Sequence, residues 1–495
     1  MKSTVGPTHS ELQGSPHLQT ARVFDALALE EKRWSSRTRG YHDLVTAVHQ
    51  AIVPPGSSVL EIGSGSGDLL AALEPADGVG IDVSPGMVEL ARARHPELTF
   101  EVAAGESADL GRTFDYIVLS DLLPYVDDLL ELFGAVARQS HRETRIVIHS
   151  FSQLWRPALR VLEVLRLRRR APMRNWVAPQ DVDNLLRLAG LESVTQARRI
   201  LLPMRVPLLS SFLNGFVANL PILRHLCLTY WIVARPLTSE RRELSVSIVV
   251  PARNEAGMIE RIVDDTAFLG PDAELIFVEG HSSDGTGAEI ERQIALHPER
   301  NILFLVQTGK GKGDAVRLGF ERASGDILTI LDADLTVRPR DLPPFFDAIA
   351  NGHGEFVNGS RLVYGIEPGA MRFLNLLGNK AFSLVFTKLL DQPVKDTLCG
   401  TKALERHRYE QIADGRTHFG DFDPFGDFDL LLGASRLNLK IVDIPVRYQA
   451  RTYGETKISR FSHGWLLLKM AIFAFRKLKI EIFRLRRGST AGRRA

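Results

Sequence analysis

The feature that most constrains this chain is an alternation that occurs twice. In the first block SSVLEIG, GVGIDV, LTFEVAA, FDYIVLS and RIVIHS are short apolar runs with helix-like stretches between them. In the second, SVSIVVPA, ELIFVEG, NILFLVQ and DILTILDAD follow at similar spacing. Such alternation predicts two α/β units, each a parallel sheet covered on both faces. The blocks share a style but no motif, so neither repeats the other. A length of 495 residues also exceeds what one core accommodates.

Between the blocks lies RPLTSERREL (235–244), polar and broken by a proline, which reads as a linker. The expected boundaries are a disordered or helical lead-in at 1–37, a first domain at 38–236, a linker at 237–244 and a second domain at 245–460. A basic amphipathic helix at 461–487 and a disordered tail at 488–495 would follow. A net charge of +2 is uninformative about nucleic acid, and no nucleic-acid partner is expected. Cys227 and Cys399 lie far apart without metal-ligand spacing, which points to a reduced, cytoplasmic setting without disulfides. The first twenty residues have no apolar core and do not read as a signal peptide.

In VLEIGSGSGDLL (59–70) a strand runs into Gly63, Gly65 and Gly67 and then into a helix. The glycines allow a tight turn against which a ligand can lie. Asp82 ends the next strand, where a carboxylate can accept from both hydroxyls of a ribose. A nicotinamide site would place a third glycine where Asp68 stands, and Glu61 precedes the turn.

This E-x-G-x-G-x-G followed by I-D resembles class I S-adenosylmethionine-dependent methyltransferases over about 38–236. The resemblance implies a Rossmann-like fold, S-adenosylmethionine as cofactor, Asp82 on the ribose and the glycine loop facing the methionine moiety. It also puts Glu106 beside the adenine. His149, ending RIVIHS, is a candidate methyl-acceptor base by position. The alternative is a binding or regulatory module that does not methylate.

The second block carries the denser set. The turn after its first strand holds Pro251, Ala252, Arg253, Asn254 and Glu255, where ligands bind in open α/β sheets. VEGHSSDGT (278–286) ends the next strand, and TGKGKGDAV brings Lys310 and Lys312 to the start of a helix. ILTILDADL then places Asp332 and Asp334 at the end of a fourth strand. At a strand's end i and i+2 can both face the cleft. Their hard oxygens suit Mg²⁺ or Mn²⁺ together with diphosphate oxygens.

Together these motifs resemble family-2 glycosyltransferases of the GT-A fold, and more closely the dolichyl-phosphate mannose or glucose synthase-like branch. That resemblance implies inverting transfer from a GDP- or UDP-sugar to a polyprenyl phosphate. Pro251, Ala252, Asn254 and Glu255 match the nucleotide-binding turn, with Arg253 where Tyr is common. Glu279 and Asp284 match the acids of VDDGSSDGT, whose second acid is replaced by Gly280. Lys312 lies in the GKG-type loop. Asp332 and Asp334 match the nucleotide- and metal-binding acids, and Thr336 stands where some members place Gln on the metal.

Arg361 in GSR, Arg451 and Lys457 in RTYGETKI are candidates to hold the phosphate of donor or lipid acceptor. DTLCGTKALER (396–406) resembles the family's DTxCGFK segment. Asp427 and Asp429 match its acidic pair. Either is a candidate general base should the acceptor be a glycan hydroxyl; a phosphate acceptor needs none.

No stretch reaches the ~20 uninterrupted apolar residues of a membrane span. The segment 201–234 is interrupted by Arg205, Asn214, Asn219 and Arg224, and 464–487 by Lys469 before it ends basic. The latter suits a lipid–water interface and implies peripheral attachment at the cytoplasmic face of a membrane. The RLRRR run at 166–170 could share that basic face. Oligomeric state is not encoded in any motif.

Overall fold

A computed structural model describes residues 16–164, 175, 177–206, 208–238, 240–364, 373–416, 427–449, 453 and 460–483. They form two compact units. One runs to Leu237 and takes back the chain from Arg476 onward; the other is Thr238–Phe475.

The first unit contains β1 (Ser58–Ile62), β2 (Asp77–Asp82), β3 (Thr99–Val102), β4 (Phe114–Ser120), β5 (Ser140–Phe151), β6 (Leu191–Arg199) and β7 (Thr229–Pro236). Their order in the sheet is β3-β2-β1-β4-β5-β7-β6. The pairings from β3 to β5 are parallel, and β7 runs antiparallel to both β5 and β6. Continuous apolar strands work because both faces are covered. Leu60, Ile62, Ile117, Leu119, Ile146 and Ile148 enter one core, whereas Val59, Val118 and Val147 enter the other.

The unit begins earlier than the sequence indicated. A helix runs over Pro16–Ile52, so the helical alternative describes residues 16–37, and the helix continues without a break past the expected boundary at 38. Leu44, Val45 and Val48 bury its end in the second core.

The second unit contains β8 (Val246–Ala252), β9 (Glu274–Glu279), β10 (Ile302–Val306), β11 (Ile327–Ile330), β12 (Phe356–Ser360), β13 (Lys402–Glu405) and β14 (Ile441–Pro445). Their order is β10-β9-β8-β11-β13-β12-β14, with β13 antiparallel to both neighbours. The strands β8, β9, β10 and β11 are mutually parallel. Their carboxyl ends therefore open on one edge of the sheet. The expected linker belongs here: Arg242 pairs bidentately with Glu405, at 2.7 and 2.9 Å.

Of the basic amphipathic helix expected over 461–487, residues 484–487 lie outside the described residues, and the described part changes its winding. The helix Arg460–Phe475 ends, Arg476–Ile480 forms a π turn and Glu481–Phe483 a 3-10 turn. The break has a packing cause. Phe483 is buried in the core of the first unit, and Arg476 and Lys477 both pair with Glu481. The basic run at 166–170, Arg451, Lys457 and the side chain of Asp427 lie outside the described residues.

Candidate functional sites

In the first unit β1 delivers the glycine turn. The amides of Gly63 and Ser64 both donate to the Ile81 carbonyl, which folds the turn back over β2. The Asp82 carboxylate locks it, accepting from Gly65 N and Ser84 N at 2.9 Å each. Burial pushes the Asp82 carboxyl up, against hydrogen bonds from the Ser84 and Gly65 amides. Burial pushes Glu61, beneath the turn, well above its ordinary value.

Two glycines are set by different needs. A Cβ on Gly67 would come within 2.6 Å of the Phe100 ring, so no side chain fits there. Gly65, with φ of +51°, faces open space instead. Beside it the Ser64 hydroxyl and Glu61 Oε2 are buried without hydrogen-bond partners. An open backbone cradle with orphaned polar atoms fits a polar ligand such as S-adenosylmethionine. Glu106 is held aside from the turn, accepting from Asp127 N at 2.9 Å.

The helix Pro16–Ile52 passes over these strand ends. Asp25 accepts from Ser84 Oγ (2.6 Å) and Gly86 N (2.9 Å). Tyr41 donates to Asp121 Oδ2 at 3.0 Å. Sequence reasoning passed over Asp25 and Tyr41 because they stand in a helix without any motif. His149 is fully buried between Trp231, His49 and Ser120, with ring centroids 4.3 Å from Trp231. Burial lowers it to about 3, so it is neutral and closed to direct contact with an acceptor.

In the second unit two loops are stitched together. Asn254 N donates to Ser282 Oγ, Ser283 N to Asn254 Oδ1, Glu255 N to Thr286 Oγ1 and Ala256 N to Asp284 Oδ2, all within 3.1 Å. Glu279 accepts from Ser282 N. Burial acts to raise Glu279 and Asp284, yet hydrogen bonds from Ser282 and from Thr286 and Ala256 outweigh it and lower both. Asp284 thus shapes the loop through the bonds at both its oxygens.

After β11 the chain alternates as the sequence implied: Asp332 and Asp334 are partly exposed while Ala333 between them is buried. Lys312 Nζ lies 2.7 Å from Asp332 Oδ1. Burial would raise Asp332, but Lys312, then Arg361 and Lys402, hold it below the carboxylate range. Asp334 accepts from the Thr336 hydroxyl at 2.9 Å and its amide at 3.1 Å. Among the described residues no third His, Cys, Asp or Glu completes a metal cluster. Two hard carboxylates on one edge nevertheless fit Mg²⁺ or Mn²⁺, ions that take their remaining ligands from phosphates and water.

Gly400 completes this edge and was not singled out from the sequence. A side chain there would run into Asp332 and Lys312. The segment carrying it is tied down by Asp396, which accepts from Arg361 Nε (2.7 Å), Arg361 Nη2 (2.9 Å) and the Leu398 amide (3.0 Å). Arg361, expected to grip phosphate directly, instead has its guanidinium in that buried fork and against the Tyr448 ring. Asp429, expected as a possible base, is buried with Arg416 at 2.8 Å and Arg317 at 3.4 Å. The distance from sequence to fold explains both: the partner of Arg361 lies 35 residues away.

Comparison with known proteins agrees with this division. Residues 33–196 match the methyltransferase domain model and residues 247–411 the glycosyl transferase family 2 model. Glycosyltransferase AglD of Haloferax volcanii is 28% identical over 229 residues, 45% of this chain and 36% of that protein. Dolichol-phosphate mannosyltransferase of Pyrococcus furiosus is 29% identical over 223 residues, 43% of this chain and 59% of that protein. The chain therefore covers less than two-thirds of either relative. Glucosyl-3-phosphoglycerate synthase from Mycobacterium tuberculosis, solved with Mn²⁺ and UDP-glucose, shows a weak overall likeness (TM-score 0.36, 20% identity, 47% of this chain and 80% of that one). The chain joins a methyltransferase domain to a glycosyl transferase family 2 domain.

Proposed function

We propose that the second unit transfers a sugar from a nucleotide-sugar, of the GDP-mannose or UDP-glucose type, to a polyprenyl phosphate at a membrane surface. The observation that carries this is the acidic edge of Asp332 and Asp334 with Lys312 beside it. A divalent cation on these two carboxylates would neutralise charge developing on the departing nucleoside diphosphate. Lys312, at the start of its helix, adds a positive charge at the same place. Arg361 and Asp396 tie down the segment that brings Gly400 against this pair. The acceptor phosphate oxygen bonds to the anomeric carbon as the carbon–diphosphate bond breaks, which inverts the centre.

A phosphate acceptor needs no base, and of the two candidate bases Asp429, the one whose side chain is described, is occupied by two arginines. This favours phosphate over a glycan hydroxyl, as does the likeness to a dolichol-phosphate mannosyltransferase. Contact with lipid would use the helix Arg460–Phe475, which exposes Trp465, Leu468 and Ile472. Among the described residues no helix is long and apolar enough to cross a membrane.

The first unit, on this reading, binds S-adenosylmethionine in the Gly65 cradle with Asp82 on the ribose. S-adenosylmethionine brings an electrophilic methyl group; the chain supplies the cradle and the covering helix. Binding without turnover on any acceptor would make it a regulatory module.

The test pairs Asp334→Ala with the wild type in transfer from radiolabelled donors to a short polyprenyl phosphate with Mg²⁺ or Mn²⁺. Asp334→Ala should abolish transfer and leave the fold intact; wild-type-like turnover would sink the metal assignment. In calorimetry Asp82→Ala should weaken S-adenosylmethionine binding.

A further inference from the structure

β6 and β7 are antiparallel neighbours, and a short turn would join them. Instead residues 200–228 intervene. From Ser193 to Ser239 the sequence contains no Asp or Glu. The insertion holds a helix, Leu209–Gly215, and two 3-10 turns, Val217–Asn219 and Leu223–Leu226.

Its inner side is firmly built. Asn214 Oδ1 accepts from the amides of Leu201 and Leu202, both at 2.8 Å, and Nδ2 donates to Leu202 O at 3.0 Å. Ser210 Oγ donates to the Met204 carbonyl at 2.5 Å. Its outer side is apolar. Leu208 is 87% exposed, Ile222 82% and Phe212 55%, and the Phe212 and Phe216 rings stack at 5.7 Å. Leu208 also has φ of +63°, a costly conformation for leucine. Trp155 Nε1 donates to Leu226 O at 2.9 Å, which joins the neighbouring helix Arg156–Val164 to the insertion. That helix adds exposed Val161 and Val164 together with Arg160, and also carries the partly exposed Glu163.

The chain's last described residues come back to this insertion. Ser211 Oγ donates to Phe483 O at 2.8 Å. From there the sequence continues as RLRRGSTAGRRA, with five arginines and no acid.

We propose that the β6–β7 insertion docks the methyltransferase unit on an anionic lipid surface. Leu208, Phe212, Phe216 and Ile222 enter the interface, and Arg160 and Arg224 meet the headgroups. Within the insertion, residues 200–228, exposed apolar groups stand with Arg205, Arg224 and His225 and no acid, the combination that such a bilayer rewards; the nearby acids lie outside it, Asp43 paired with Arg205 at 2.9 Å and Glu163 on the adjoining helix. A protein partner would tolerate acids on this face; a negatively charged bilayer repels them. This goes beyond the reading above, which places lipid contact on a helix of the other unit, and it does not depend on sugar transfer.

The experiment is co-sedimentation of the full chain with phosphatidylcholine vesicles, with and without roughly one-third phosphatidylglycerol. No donor or acceptor is present, so failure of the transfer reading leaves the result untouched. The wild type should bind the anionic vesicles. The triple variant Leu208→Ser, Phe212→Ser, Ile222→Ser should lose binding by about ten-fold or more with unchanged circular dichroism. Wild-type binding by that variant overturns the proposal, as does wild-type indifference to both vesicles. Loss confined to Trp465→Ser, Ile472→Ser also overturns it by moving the contact to the second unit. If the triple variant instead splits a vesicle-indifferent dimer, the face joins copies of this chain and the proposal falls.

Discussion

The ammonium of Lys312 and the carboxylate of Asp332 lie 2.7 Å apart, and the backbone of Gly400 passes so close that only a hydrogen fits between. The pair is thereby pre-set on the edge where β11 ends. Substitution of Gly400 is the sharpest probe of that arrangement. Gly400→Ala should cut sugar transfer by roughly ten-fold or more, because the methyl group displaces a charged pair that must stay in place. Steady-state kinetics with circular dichroism checks this; unchanged kcat/KM would show that the close approach is incidental.

The Arg361–Asp396 fork is buried, so breaking it from one side should be costly. Arg361→Ala should destabilise the second unit by about 3–5 kcal/mol, since Asp396 is left as an uncompensated buried charge. Arg361→Met with Asp396→Leu should recover much of that loss. Burial acts to raise Asp396 and the Arg361 guanidinium overrides it, so the net shift is downward. A lowered carboxylate contributes stability above its unfolded value and loses it as pH falls through the folded one. Acid unfolding of wild type and single variant, compared by urea titration, reads this directly.

His49 and His149 are both lowered to about 3 by burial. The unfolded chain binds their protons first, near pH 6.5. Stability of the first unit is therefore full above that value and should fall by a few kcal/mol as pH drops from about 6.5 toward 3. Melting temperature against pH measures it. Because the raised Glu61 and Asp82 act in the opposite sense, His149→Gln is compared with the wild type; an unchanged slope in the variant would mean that His149 is not buried neutral in solution.

Phe483 sits in the core of the first unit although it lies near the end of the sequence. Phe483→Ala should lower the stability of that unit by about 3–5 kcal/mol. Two-transition calorimetry can assign the loss, because the transition shifted by S-adenosylmethionine should be the one that falls. A drop confined to the other transition would place Phe483 elsewhere.

Much of this was legible in the chain itself. Strand-length apolar runs such as SVLEI and VSIVVPA announced their sheets because both faces of each are buried. Asp82, Asp332 and Asp334 were readable because each closes a strand, a position that topology turns toward the open edge. Local signals reached less far at the helices. Pro16–Ile52 has a mixed surface, so its start gave no warning, and Tyr41 and Asp25 were missed with it.

By itself, then, the sequence determined two α/β units, a glycine cradle and an acidic edge, since these rest on spacing within a few residues. Only the tertiary structure decided how distant charges are used. Arg361 turns to Asp396, Asp429 to Arg416 and Arg317, and Phe483 returns to the first core. A buried charge seeks the nearest opposite charge in space, and a buried ring the nearest apolar gap. Neither neighbour is visible until the chain has folded.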